Sequence, residues 1–402
     1  VQAVAVGPTA PGGAARRRWG IWNAAGSARR SIIGGSWCRP RDRWPTTLTA
    51  REFYRQRNAT RSGLPLWCDR FVPMRRRKFL SGSPNHIYQR SQNGSVIFYS
   101  LEDCLVYFTV FCTCAKRYGV TVLGLCEMYD HIHQLVEAPD LPTLSGFERM
   151  VNMTFSYEYY GDLKRGAEGF VSDRNITSGS VSVTIPNIGH LFQSPFGSAP
   201  KIGNKKIRTS IAYLYNNPVE RNIHQEAIKW RWNFLAYAFS DHPFSEKLSR
   251  RVASTKMRKN LKEIEGCCSL GSYLRYPQLH RMFDGLSPEE KNQLIDFIVI
   301  TYNVIEYDRL SSYYGSPEKM LLAINSNTGS EYDIREERHH NPDTSYGQMM
   351  NYVVRYDYVT RAKDVILLPI KEKNVLMRIL VRDTMADEWQ ALKFLGMDLP
   401  SR

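Results

Sequence analysis

The alternation of hydrophobic and polar residues becomes regular at Pro84 and predicts strands and helices up to about residue 245. Strands show a period of two, helices bring apolar residues together every three or four positions, and glycine or proline marks the turns. The predicted elements are a strand that starts at Asn85, a helix over residues 103–118, strands over residues 120–126 and 131–137, a helix over residues 144–163 and a short strand over residues 189–193.

The order β-α-β-β-α-β is that of the ferredoxin-like fold, in which an antiparallel sheet carries two helices on one face. The sequence pattern therefore predicts an α+β domain of this kind over residues 74–245. A further helix is predicted within residues 205–224. Its apolar face is formed by Ile207, Ile211 and Leu214, and it should end at or just before Pro218, because proline cannot continue the helical hydrogen bonding.

The remaining third of the chain predicts helices. Residues 246–265 are rich in charge and indicate a basic linker, and residues 266–402 predict an all-α C-terminal domain. In it, Ser287 and Glu290 form a capping box, and helices are expected over residues 346–362, 374–382 and 387–395. Residues 384–396 are similar to the second half of a helix-turn-helix, which would bind DNA. The alternative is a helical packing domain without DNA contact.

Charge and composition point to a polyanionic partner. The chain has 402 residues, a formal net charge of +15 and a pI near 9.4, which favour nucleic acid as that partner. No apolar run reaches the roughly 18 residues that span a bilayer. The eight cysteines lack the spacing of a zinc or redox motif. We therefore expect a soluble, cytoplasmic protein with no membrane partner and no small-molecule cofactor.

Residues 1–73 differ from the rest of the chain. They are rich in Arg, Gly, Ala and Pro, contain no Lys and show no helical or strand periodicity, so a disordered or poorly packed segment is expected. Three interpretations stay open. The segment is a targeting peptide, a basic arm that binds DNA phosphates, or sequence upstream of a natural start at Met74 that is read into the protein.

Two histidines in the third predicted strand are the first candidate for chemistry. His131 and His133 flank Ile132, and residues i and i+2 of a strand project to the same face, so the two imidazoles should point together. Neutral imidazole is the commonest protein ligand of metals. The alternative is an ordinary pair of histidines on a solvated strand face.

The second candidate lies in the helix of residues 205–224. Tyr213 and Asn217 are four residues apart and therefore share a helix face. A phenol can serve as a nucleophile in phosphoryl transfer, and the Asn217 oxygen can complete a site for Mg²⁺ or Mn²⁺ that the two histidines begin. Tyr215 is the rival nucleophile. It lies about 200° from Tyr213 around the helix, so both hydroxyls cannot face the same metal.

The combination of these motifs resembles the HUH single-strand DNA transposases of the tyrosine type, specifically the IS200-like and REP-associated tyrosine transposases. The matching segments are His131-Ile132-His133, residues 189–193 and residues 213–219. The resemblance covers about residues 84–245 and implies that His131, His133 and Asn217 bind a divalent metal, Mg²⁺ or Mn²⁺, and that Tyr213 is the nucleophile.

The resemblance also implies a function in DNA transposition and recombination. Tyr213 would cleave single-stranded hairpin DNA through a covalent 5′-phosphotyrosine intermediate and transfer the strand, in the cytoplasm at the nucleoid. The residues expected to contact phosphates near the tyrosine helix are Lys201, Lys205, Lys206, Arg208 and Arg221. Whether a homodimer forms, with the tyrosine helix supplied by the partner subunit, stays open.

Three departures from the family pattern leave other functions open, one of them a stretch over residues 166–188 that is longer than expected. Asp130 stands where the family usually has Asn, and Ser194-Pro195 replaces the usual Gly-Arg. A domesticated DNA-binding protein that does not cleave is the first alternative. A transcriptional regulator that acts through its C-terminal helices is the second.

Overall fold

The computed structural model describes residues 78–173, 191–326 and 341–399 of the chain. The predictions made for residues 1–73, and for Gly189 and His190, lie outside the described residues. In the described part of the chain, no helix combines the length and the apolar character that a membrane span requires.

A four-stranded antiparallel sheet forms the centre of the α+β fold, in the order β2-β3-β1-β4. β3 has the bounds that its alternating pattern predicts, and β2 starts one residue later than predicted. In the register of β1 against β3, Tyr88 is paired with His133 and Arg90 with His131. The strands are β1 (Asn85–Arg90), β2 (Thr121–Glu127), β3 (His131–Glu137) and β4 (Gly197–Pro200).

The last strand is not where the sequence pattern predicts it. Within the predicted strand of residues 189–193, Phe192 forms only an isolated bridge to Ser91, and β4 begins at Gly197. The Gly-Ser-Ala-Pro sequence of β4 contains no β-branched or aromatic residue, so strand propensity gives no signal there. Pairing with β1 makes it a strand, which is the usual way that tertiary contacts override propensity.

Helices cover both faces of the sheet. Helices α1 (Leu101–Tyr118) and α2 (Leu141–Asp173) share a hydrophobic core with Ile132 and Val136 of β3. Helix α3 (Asn204–Glu220) packs on the opposite face with Leu135 of β3. The period of two along β3 thus divides its side chains between two cores.

Helix α3 extends beyond the end that the sequence predicts. Pro218 lies inside it, and the helix continues to Glu220. Proline removes one backbone donor, and in the last turn of a helix this loses a single hydrogen bond. The Asn217 carbonyl still accepts a hydrogen bond from the Arg221 amide, with N and O 3.0 Å apart.

Helices continue the chain from residue 255 onward. The capping box predicted at Ser287 is confirmed, since its hydroxyl accepts from the Glu290 amide at 3.1 Å and a Glu290 carboxylate oxygen accepts from the Ser287 amide at 3.4 Å. These helices are α4 (Thr255–Ser269), α5 (Tyr276–Phe283), α6 (Pro288–Tyr302), α7 (Tyr307–Ser312), α8 (Pro317–Asn325), α9 (Thr344–Arg355), α10 (Ile370–Asp383) and α11 (Glu388–Phe394).

The linker and the separate helical domain predicted after residue 245 are not seen. The described residues from 78 to 399 belong to one compact unit. Within the predicted linker, α4 begins at Thr255 and buries Met257 and Leu261 completely. The Tyr276 hydroxyl of α5 donates to Oδ1 of Asp103 in α1 at 2.6 Å. The helices after residue 245 therefore complete the core of the sheet domain.

The burial of α11 also contradicts the helix-turn-helix interpretation. Every residue from Gln390 to Phe394 in α11 is buried. A recognition helix must present a face to a DNA groove. Helix α11 instead packs inside the protein.

Candidate active site

The sheet face beneath α3 carries four aromatic side chains from two neighbouring strands. His131 and His133 project from β3, and their ring centroids are 5.0 Å apart. The Tyr88 ring of β1 lies 5.4 Å from the His131 ring and 5.0 Å from the His133 ring. His86, two residues before Tyr88, lies 5.2 Å from His133 by ring centroids. The paired strands thus place three imidazoles in one cluster.

Helix α3 brings Tyr213 and Asn217 onto this cluster. The Tyr213 ring lies 5.6 Å from the His133 ring and 6.0 Å from the His86 ring. The Asn217 side-chain nitrogen Nδ2 lies 3.2 Å from Nε2 of His133. Residues four apart on a helix share a face, and here that face lies on the histidine cluster. His131, His133, Tyr213 and Asn217 therefore form one buried group.

The second nitrogen of each β3 histidine is held by a polar neighbour. Nδ1 of His131 lies 2.6 Å from Oδ1 of Asp130. Nδ1 of His133 lies 3.1 Å from Nε2 of His86, and Nδ1 of His86 lies 2.9 Å from the Ser210 hydroxyl oxygen. With Nδ1 protonated on all three histidines, each donates to its neighbour. Nε2 of His131 and of His133 then carry the lone pairs that a metal needs.

These side chains fit a divalent cation. His131 and His133 would bind it through Nε2, and Asn217 would offer its amide oxygen after rotation of the side chain, which exchanges the positions of nitrogen and oxygen. Among the described residues, no three His, Cys, Asp or Glu side chains form a group that could hold a metal. The protein ligands of a cation at this place would be two imidazoles and one amide. Water or phosphate oxygens would complete the coordination.

The Lys393 ammonium and a hydrogen bond from His131 hold Asp130 in its charged form. Burial favours the protonated carboxyl, but Lys393 and His131 outweigh this effect and hold the pKa of Asp130 well below its usual range. Nζ of Lys393 lies 2.9 Å from Oδ2 of Asp130. For the nearby Asp343, burial and the charge of Asp130 raise the pKa to about 7.

Tyr215, the rival nucleophile, packs elsewhere. Its hydroxyl donates to the backbone carbonyl of Leu123 in β2 at 3.2 Å, and its side chain is fully buried in the core between α3 and the sheet. Burial holds the pKa of Tyr215 well above its usual range. Tyr215 therefore has a structural contact, and of the two tyrosines in α3 it is Tyr213 whose ring lies against the histidines.

The predicted phosphate contacts divide into exposed and buried side chains. Lys205, Lys206 and Arg208 are exposed along the start of α3. Arg221 is half-buried, and its backbone carbonyl accepts a hydrogen bond from the Asp343 amide, with N and O 3.0 Å apart. Lys201 is fully buried, so it is a poor candidate for an exposed phosphate contact, contrary to the prediction.

The sequence did not predict the places of His86, Tyr88, Asp130 and Lys393 in this site. His86 carried a signal, because a first strand beside the third in a ferredoxin-like order would set His86 and Tyr88 next to His133. Asp130 was noted only as a departure from the family pattern. Lys393 carried no signal, since it lies 263 residues from Asp130 in the chain.

Comparison with known proteins identifies no relative of this chain. No protein-family model, curated protein or solved structure matches the chain.

Proposed function

We propose that the protein is a metal-dependent transposase that cleaves and joins single-stranded hairpin DNA through Tyr213. The observation that carries this proposal is the convergence on one imidazole. The Tyr213 ring and the Asn217 amide both contact His133, and His131 lies beside it on the same strand face. The candidate nucleophile and the candidate metal ligands thus lie together around the His133 side chain.

The fold supports the same proposal. The elements β1, α1, β2, β3, α2 and β4 follow one another in the β-α-β-β-α-β order, and the sheet order β2-β3-β1-β4 places the first strand between the third and the fourth. This order supports a ferredoxin-like domain, to which α3 would be an addition on the second face of the sheet. We propose that the catalytic domain has this fold.

His131, His133 and Asn217 would hold the cation, which when bound polarises the scissile phosphate and orients it. The Tyr213 oxygen attacks the phosphorus. The new bond joins Tyr213 to the 5′-phosphate, the bond to the 3′ oxygen breaks, and the phenol proton is transferred, in net terms, to that oxygen. One phosphodiester replaces another, so a 3′-hydroxyl from a second DNA end can reverse the step without external energy.

The substrate class follows from the charge around α3. Lys205, Lys206 and Arg208 are exposed at its start, on a chain with a formal net charge of +15. Such side chains bind phosphates without reading sequence. We propose that they guide a single strand to Tyr213 and that the protein acts on DNA at the nucleoid. Because α3 packs on its own sheet, one chain would supply the complete site.

A second candidate function has its own support. Tyr213 is only 2% exposed, so a phosphate can reach its hydroxyl only after neighbouring side chains move. A DNA-binding protein that keeps the fold and has lost cleavage needs no such movement. A regulator that acts through its C-terminal helices has no comparable support, because α11 is buried.

The test is covalent capture of DNA. Hairpin oligonucleotides taken from inverted repeats in the DNA that flanks the gene, labelled at the 3′ end, are incubated with the protein and Mn²⁺ and run on a denaturing gel. We expect a labelled protein band that chelation of the metal abolishes. Tyr213→Phe should lose the band and Tyr215→Phe should keep it. Hairpin binding without any band would favour the non-cleaving protein.

A further inference from the structure

We propose that Lys393, in the last helix of the chain, is a positioning residue that orients His131 through Asp130. This inference rests on the proposed function, in which His131 binds a metal. It assigns the C-terminal helices a part in the active site, although they lie outside the region in which the sequence resembles the transposases.

The contacts form a continuous chain from α11 to β3. One carboxylate links the two ends, because Oδ2 of Asp130 lies 2.9 Å from Nζ of Lys393 and Oδ1 lies 2.6 Å from Nδ1 of His131. Lys393 is 4% exposed and is therefore cut off from water. A buried ammonium needs a charged partner, and Asp130 provides it.

The position of Lys393 is fixed by its backbone. The Val96 amide donates to the Lys393 carbonyl at 3.3 Å, and the Tyr99 hydroxyl donates to the Phe394 carbonyl at 2.6 Å. The same segment contacts the turn before β3, because the Ile97 amide donates to the Tyr129 carbonyl at 2.7 Å. Helix α11 and the residues just before His131 are therefore held to one short stretch of chain, which sets the distance between Lys393 and Asp130.

This arrangement gives a physical reason for the aspartate. An asparagine at position 130, the usual residue in the transposases that the chain resembles, can accept a hydrogen bond from Nδ1 of His131 but cannot neutralise Lys393. An ionised carboxylate does both. Carboxylates behind metal-binding histidines fix the ring orientation and increase the basicity of the nitrogen that binds the metal. Lys393 holds the second carboxylate oxygen and so fixes the rotation of the carboxylate.

The experiment compares full-length Lys393→Met with the wild type and with Lys373→Met as the matched control. Lys373 lies in α10 and is 5% exposed, so its substitution also removes a buried ammonium, but from a different helix than that of Lys393. The first measurement needs no added metal. It is the NMR signal of the Nδ1 proton of His131, identified by its loss in His131→Gln. The second is the Mn²⁺ dissociation constant.

We expect Lys393→Met to move the His131 signal and to raise the Mn²⁺ dissociation constant at least about tenfold, within the range known for such outer partners. Lys373→Met should change neither. If Lys393→Met does not fold, Lys393→Gln, which keeps Asp130 and removes only the charge of Lys393, should show the same changes. An unchanged His131 signal in the variant that folds overturns the inference. A wild type that binds no Mn²⁺ overturns the proposed function, while the His131 signal still decides on Lys393.

Discussion

Nε2 of His86 lies 3.1 Å from Nδ1 of His133, so a histidine of the first strand holds the ring of a histidine of the third. The Ser210 hydroxyl oxygen of α3 lies 2.9 Å from the other nitrogen of His86. His86 thereby connects the tyrosine helix to the strand that carries the candidate metal ligands. Several consequences of this arrangement and of the surrounding core can be measured.

His86→Leu should weaken metal binding. The substitution removes the acceptor for Nδ1 of His133, so the ring is no longer fixed with Nε2 towards the site. Loss of such a partner raises metal dissociation constants by roughly 10- to 100-fold. Titration with Mn²⁺ measures the change. His242→Leu, at a half-buried histidine in the segment between α3 and α4, should leave the constant unchanged. Equal affinities of wild type and His86→Leu would contradict the role of His86.

Asp130→Asn should destabilise the protein, and adding Lys393→Met should recover much of the loss. The single substitution leaves the Lys393 ammonium buried without its partner charge, which costs roughly 3–5 kcal/mol, whereas a neutral pair avoids this penalty. Urea unfolding measures the free energies. Asp383→Asn, at an exposed pair with Arg382, should leave the free energy of unfolding nearly unchanged. A double variant no more stable than Asp130→Asn would show that the pair is not coupled.

Lys373 should make stability depend on pH in the alkaline range. Burial lowers its pKa to about 8, whereas a lysine in the unfolded chain titrates near 10.4. Between these values the unfolded chain binds more protons, so the free energy of unfolding from this group rises with pH, by at most about 1.4 kcal/mol for each pH unit. Lys373→Met should be more stable than wild type at pH 7, and the difference should shrink above pH 8.

Urea unfolding at several pH values measures this difference. Lys371→Met, at an exposed lysine of the same helix, is the control and should show no pH-dependent change relative to wild type. A constant difference between Lys373→Met and wild type from pH 7 to pH 10 would mean that Lys373 does not titrate in this range.

Residues 266–402 should not fold alone. Tyr276 and Leu274 complete hydrogen bonds to Asp103 and Thr109 of α1, and the helices share their core with the sheet domain. Thermal unfolding followed by circular dichroism should show no cooperative transition for residues 266–402 and a single one for residues 74–402. A cooperative transition of the C-terminal fragment would restore the separate domain that the sequence predicts.

The sequence predicted those parts of the fold that local patterns control. The alternation in β3 gave its bounds, and the capping box at Ser287 gave the start of α6. Features decided by distant contacts were missed. β4 is a strand because β1 pairs with it, and α4 is a core helix because α5 and α6 pack against its apolar face. Burial of Lys201 likewise has no local signature.

The candidate site divides in the same way. His131, His133, Tyr213 and Asn217 could be named from spacing within a strand and a helix, together with the family resemblance. His86 required the order of strands in the sheet, and Lys393 required the packing of α11. Residues that act through another side chain have no fixed spacing from it, so no motif reveals them.

Identification of the amino acid that becomes linked to DNA tests the central claim most directly. Trypsin cleavage after Arg208 and Arg221 yields a peptide of residues 209–221 that contains both Tyr213 and Tyr215. After reaction with a hairpin oligonucleotide and nuclease digestion, mass spectrometry of this peptide locates the attached nucleotide. We predict a nucleotide joined by a 5′-phosphate to Tyr213. Attachment to Tyr215 or to a residue outside this peptide would contradict the assignment of Tyr213 as the nucleophile.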